Sequence, residues 1–206
     1  MWQKITGTGE IDYLIDFPSN YEKGKKYPVL FYIHGMGSVM QGIDALADGC
    51  IVRRERMDED MPFIIVVPYC PERYWVTVFE KLQKLISNII NSDFADKDRI
   101  YLSGASMGGF TSWNLLIAQP EWFAAAVVCC GAGMYFDAWR IKIPVIAVHG
   151  ALDTTVLPRE SEIMVEKINK SGGQAKLVIH GNLAHDVMSK TFTDKETYRW
   201  LLSKHK

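Results

Sequence analysis

A serine, an aspartate and a histidine in this sequence each stand where an apolar run gives way to a loop. Ser106 lies in RIYLSGASMGGF, flanked by Gly104 and Gly108 in the pattern G-x-S-x-G. A strand-like run precedes it and a helix-like run follows, which is the setting in which a serine can be held as an exposed nucleophile. Such a turn cramps the serine backbone and lifts its hydroxyl above the sheet edge, and side chains two residues to either side would collide with the neighbouring strand and helix. Gly104 and Gly108 remove those collisions, and Gly109 lets the helix begin close to the strand. The helix N-terminus then offers amides of partial positive charge, of which that of Met107 is placed to hold a developing oxyanion. A five-residue pattern is also met at ordinary tight turns, so the reading depends on partners.

A serine hydroxyl needs a base, usually a histidine, itself oriented by a carboxylate. In parallel α/β sheets of this kind the order along the chain is serine, acid, histidine, each after a later strand. Asp153 in HGALDTTVLP and His185 in IHGNLAHDVM satisfy that order, and both follow strand-like runs, where ligand sites of open sheets gather. Taken singly, Asp153 could be a turn or helix-capping aspartate ahead of Pro158, and His185 a loop histidine. Asp186 and Asp137 are reserve acids. His34, His149 and His180 each precede a glycine at a strand end and read as packing residues rather than bases. The run YIHGMGS supplies a glycine loop after another strand, where a second oxyanion donor belongs; the amide of Met36 is the candidate, Gly37 the alternative, and a plain glycine turn the bland reading.

The elements that must position these residues are legible as an alternation of short apolar and amphipathic runs, the pattern of a parallel sheet with crossover helices. Strands are expected at 11–17, 29–34, 63–68, 99–103, 124–130, 145–149 and 175–180, and helices at 43–56, 76–92, 108–118, 159–171 and 194–203. Most strand runs are continuously apolar, as when helices cover both faces. The 206 residues, without linker or repeat, fit one domain over 1–206.

Charge and composition narrow the partners. A net charge of −1 offers no electrostatic reason to expect nucleic acid or an anionic membrane. No apolar run is long enough to span a bilayer, and MWQKITGTGEIDYLIDF lacks the order of a signal peptide, so a cytoplasmic protein is expected if this is the native N-terminus. Cys50, Cys70, Cys129 and Cys130 form no C-x-x-C pair and read as buried thiols, with a Cys50–Cys70 disulfide left open. The histidines stand apart and the cysteines lack ligand spacing, so neither a metal nor another cofactor is expected.

The segments KKYPVLFYIHGMGS, IIVVPYCPERYW, DRIYLSGASMGGFTSW, CCGAGM, IPVIAVHGALDTTVLP and AHDVMSKTFTDKETYRWLL resemble the α/β-hydrolase superfamily along nearly the whole chain, and within it the compact esterases, the phospholipase/carboxylesterase group and the hydrolases labelled as peptidases. The resemblance implies a Ser106-Asp153-His185 triad, an oxyanion hole from Met36 and Met107, and hydrolysis of a small-molecule or carbohydrate-linked ester. Thioester or peptide cleavage is the alternative, and a non-catalytic binding module on the same scaffold a further one. Little room remains before Ile11 for the extra first strand of many relatives, and residues 131–143 are too few for a cap. Gly35, Gly37, Tyr69, Trp75, Met134, Tyr135 and Trp139 are the candidates for a pocket beside the serine, with Phe136 nearby.

Overall fold

The computed structural model describes residues 1–7, 9–39, 41–58 and 61–206. Eight strands form one sheet: β1 (Gln3–Ile5), β2 (Tyr13–Asp16), β3 (Tyr27–Ile33), β4 (Ile64–Pro68), β5 (Ala95–Ala105), β6 (Ala125–Cys129), β7 (Pro144–Gly150) and β8 (Gln174–His180). Their spatial order is β1-β2-β4-β3-β5-β6-β7-β8. The first two are antiparallel to their neighbours and the rest run parallel.

All seven expected strands are present, and β1 corrects the expectation that the little room before Ile11 leaves out an extra first strand. Its sequence, Gln-Lys-Ile, is short, exposed and not apolar, and its register comes from β2, where Lys4 pairs with Leu14. An edge strand that hydrogen-bonds on one side only needs little apolar patterning of its own.

The strands alternate cleanly between two cores. Val29, Phe31 and Ile33 of β3, with Ile64 and Val66 of β4, face a layer holding Leu82, Ile86 and Ile89 of α2 (Phe79–Ile90), Trp113 and Leu116 of α3 (Met107–Ala118), and Met164 and Ile168 of α4 (Pro158–Lys170). Leu30 and Tyr32, with Ile65 and Val67, face Leu46 of α1 (Gly42–Gly49), Phe192 of α5 (Met188–Thr193) and Tyr198 and Leu201 of α6 (Lys195–Leu202). Period-two alternation between two apolar layers explains why the strand sequences read as unbroken apolar runs.

Helix ends differ from expectation for local reasons. The helix expected over 43–56 stops at Gly49, where the Arg53 guanidinium donates to the carbonyls of Cys50 at 2.7 Å and Ala47 at 3.3 Å; only a 3-10 turn, Arg54–Arg56, follows. The helix expected from residue 76 begins as a 3-10 turn, Trp75–Val78. Helix α5 lies outside the expected helices; the Asp186 carboxylate accepts the Ser189 amide at 3.2 Å and hydroxyl at 2.9 Å in its first turn. Between β6 and β7 the chain forms only the 3-10 turn Tyr135–Arg140, and no cap.

Candidate active site

The carboxyl ends of β5, β6, β7 and β8 meet at Ser106. Its backbone has φ 56° and ψ −121°, one of two non-glycine residues with positive φ among those described. Its amide donates to the Cys129 carbonyl at 3.0 Å, and its carbonyl accepts from Phe110 at 3.0 Å, so the turn is pinned to β6 on one side and to α3 on the other. A Cβ on Gly104 would lie 2.5 Å from the Gly108 carbonyl oxygen and one on Gly109 would lie 2.6 Å from that of Cys129, while one on Gly108 would overlap the Ile33 carbonyl. Close backbone approach is what these glycines permit.

Three separated residues converge here. His185 Nε2 lies 2.8 Å from Ser106 Oγ, and His185 Nδ1 lies 2.7 Å from Asp153 Oδ2. Asp153 is 2% exposed, and its other oxygen accepts the amides of Thr155 at 2.8 Å and Val156 at 3.0 Å. Burial pushes this carboxyl up, but the hydrogen bonds from His185, Val156 and Thr155 outweigh it and hold the group below its ordinary range, as an acceptor for His185.

His149, expected only to pack, also reaches the acid. Its Nε2 lies 3.2 Å from Asp153 Oδ2 and 2.9 Å from the Val156 carbonyl, and its Nδ1 lies 2.7 Å from Ser161 Oγ. The Val156 carbonyl at Nε2 calls for a donor there, and the Ser161 hydroxyl beside Nδ1 also lies 3.4 Å from the Gly131 carbonyl. The reserve acids stand apart: Asp186 accepts from Ser189 in the first turn of α5, and Asp137 lies in the turn Tyr135–Arg140.

The loop after β3 passes directly over the serine, since a Cβ on Gly35 would lie 3.4 Å from Ser106 Cβ. Its 3-10 turn, Met36–Ser38, leaves the Met36 amide without an acceptor among the described residues, and the same holds for the Met107 amide at the start of α3. His34 anchors the loop: its Nε2 accepts the Cys70 amide at 3.0 Å, and its carbonyl accepts the Trp75 indole at 3.0 Å. Burial lowers His34 to about 4, so near neutral pH it is an uncharged brace.

A cleft of about 1120 Å³ opens beside Ser106 between the turn Trp75–Val78 and α3. Met107, Phe110, Thr111 and Asn114 line its floor, with Tyr74, Trp75 and Val76 opposite. The structure distributes the expected pocket residues over several places. Trp75 lines the cleft, but Met134, Tyr135 and Trp139 do not; Tyr69 instead accepts the Gly42 amide at 3.2 Å; Gly35 and Gly37 line a separate hollow of about 270 Å³ with Asp186. The floor was readable: 107, 110, 111 and 114 form an i, i+3, i+4, i+7 stripe on the helix that starts at the serine.

All four cysteines are free, so the open Cys50–Cys70 disulfide does not form. Cys130, Asp153 and His185 offer donor atoms all within 4.8 Å of one another, a grouping that the sequence spacing gives no sign of.

Sheet order, helices on both faces and the serine turn define an α/β-hydrolase. Residues 8–139 match the Esterase family, described as "Putative esterase", and the chain belongs to that family. That match takes in the Ser106 turn and the loop after β3 but ends before Asp153 and His185. Over 165 residues the chain is 25% identical to Hydrolase 4 of Catharanthus roseus, covering 68% of this chain and 52% of that protein. Over 164 residues it is 23% identical to the Probable glutamyl endopeptidase, chloroplastic, of Arabidopsis thaliana, covering 63% of this chain and 17% of that protein. The chain thus spans about half of one relative and under a fifth of the other. Among solved structures it is similar to a thermostable esterase, with TM-score 0.83 and 25% identity over 100% of this chain and 63% of that one.

Proposed function

We propose that the protein cleaves carboxylic esters through an acyl-enzyme formed on Ser106. The observation that carries this reading is the pair of hydrogen bonds through one imidazole, 2.8 Å to the serine hydroxyl and 2.7 Å to the buried aspartate. His185 takes the hydroxyl proton as Ser106 attacks the carbonyl, and the ionised Asp153 stabilises the imidazolium. The Met36 and Met107 amides hold the oxyanion, a role that suits donors with no other acceptor. The proton on His185 then passes to the leaving alcohol, and water, activated by the same imidazole, releases the acid. An apolar part of the substrate lies in the cleft against Phe110 and Trp75, while the polar Asn114 and Thr111 side chains offer orienting hydrogen bonds.

Peptide cleavage is the second reading, favoured by the likeness to a relative named as an endopeptidase. Thioester cleavage would use the same groups. A panel of p-nitrophenyl esters, acyl thioesters and blocked dipeptides separates the three. The ester reading expects the highest kcat/KM on the esters and a loss of at least ~10³-fold in Ser106→Ala. Turnover of peptides alone would overturn the ester assignment, and undiminished turnover by Ser106→Ala would overturn the nucleophile.

A further inference from the structure

We infer that Cys130 completes, with Asp153 and His185, a binding site for one thiophilic divalent cation of the zinc or cadmium type, and that such a cation switches the hydrolase off. The thiol plays no part in the reaction proposed above. It is wholly buried, yet it stands at the carboxyl end of β6 beside the two side chains on which that reaction depends. Two features of the chain aim it there. The Cys130 amide donates to the Val148 carbonyl at 2.9 Å, tying the residue to the strand that leads into the Asp153 loop. The backbone then turns through φ 42°, a left-handed conformation that glycine would adopt without strain and that this chain gives to a cysteine.

Thiolate sulfur, imidazole nitrogen and carboxylate oxygen are the donor set of zinc sites, and three protein ligands leave a tetrahedral ion one further position. Here one donor of each kind lies within 4.8 Å of the others. Burial pushes the thiol up to about 12, so it is protonated near neutral pH; binding exchanges that proton for the cation, releases it to solvent and moves no electrons.

The consequence for catalysis does not depend on which ring nitrogen ligates. Nδ1 is engaged with Asp153 and Nε2 with Ser106. A cation on either nitrogen replaces one of the two hydrogen bonds, so binding and turnover exclude each other. The inhibitory part rests on the proposed ester hydrolysis; the binding part does not, and the two are read separately.

The test is a titration of the full chain with cadmium chloride in buffer free of chelators and thiols. It follows the cadmium–thiolate absorption in the ultraviolet and the hydrolysis of p-nitrophenyl acetate together. The wild type is expected to develop a thiolate band that Cys130→Ser lacks, and to lose activity at least ~tenfold with the same midpoint, both reversed by EDTA. Cys130→Ser is expected to keep its activity throughout. Cys130→Gly, which suits the left-handed backbone, serves as the second variant should the serine replacement fold poorly. A band without any esterase activity in the wild type would support the cation site while refuting the proposed reaction. An identical band and identical inhibition in the Cys130 variants, or no band in the wild type, would overturn the inference.

Discussion

Three donors converge on the Asp153 carboxylate, His185 at one oxygen and the Thr155 and Val156 amides at the other, while His149 Nε2 lies 3.2 Å from the first oxygen and bonds the Val156 carbonyl. In the proposed reaction this makes His149 a positioning residue, since its Nε2 bonds the Val156 carbonyl and so holds the loop whose amides fix Asp153. Replacing His149 by alanine is expected to lower kcat by about tenfold with little change in KM, as for other residues that hold a catalytic side chain in place. His149→Gln, whose amide can still donate, is expected to recover part of that loss; steady-state kinetics of both variants decide, and a wild-type kcat in His149→Ala would remove the role. Ser106, Asp153 and His185 were legible because each follows a strand end in a fixed order. His149 was legible as a buried strand-end residue but not as a partner of the acid, since that contact depends on how the 150–157 loop curls back. Cys130 was hidden for the same reason, being distant in sequence from both residues it meets.

Strand ends and helix starts set the geometry that those residues share. The tightest approach is that of Gly108 to the Ile33 carbonyl, where a methyl group has no space. Gly108→Ala is therefore expected to destabilise the fold by about 4 kcal/mol or more, read as a large drop in thermal midpoint. His34 ties the end of β3 to the chain after β4, and its lowered value gives a pH signature. Between its ordinary 6.5 and about 4 the unfolded chain binds a proton that the folded chain does not. That contribution to stability is complete above pH 6.5 and is lost as the pH falls toward 4, by up to ~3 kcal/mol. Urea unfolding at pH 7 and pH 5 measures it, and His34→Gln is expected to flatten the difference. At this scale the central strands were plain, because apolar runs of Val, Ile and Phe between glycine loops leave few alternatives. β1 and α5 were not, since β1 takes its register from β2 and α5 is held by the Asp186–Ser189 hydrogen bonds and the burial of Phe192.

The whole molecule is a sheet between two apolar layers, and α6 closes the second of these. Tyr198 is wholly buried there, with its hydroxyl donating to the Phe192 carbonyl at 2.8 Å. Tyr198→Ala leaves a large cavity and an unpaired carbonyl, and is expected to cost ~3–5 kcal/mol in chemical denaturation. The layering was legible from the alternation of runs, whereas the cleft was not, because it forms between the segment after β4 and the helix after β5, far apart in sequence. The account of the site stands or falls on whether Ser106 is an activated nucleophile. Treatment with a fluorophosphonate followed by peptide mass spectrometry tests that most directly. A single adduct on Ser106, abolished in Ser106→Ala and strongly slowed in His185→Ala, is predicted; an unmodified Ser106, or equal labelling after His185 is removed, would contradict it.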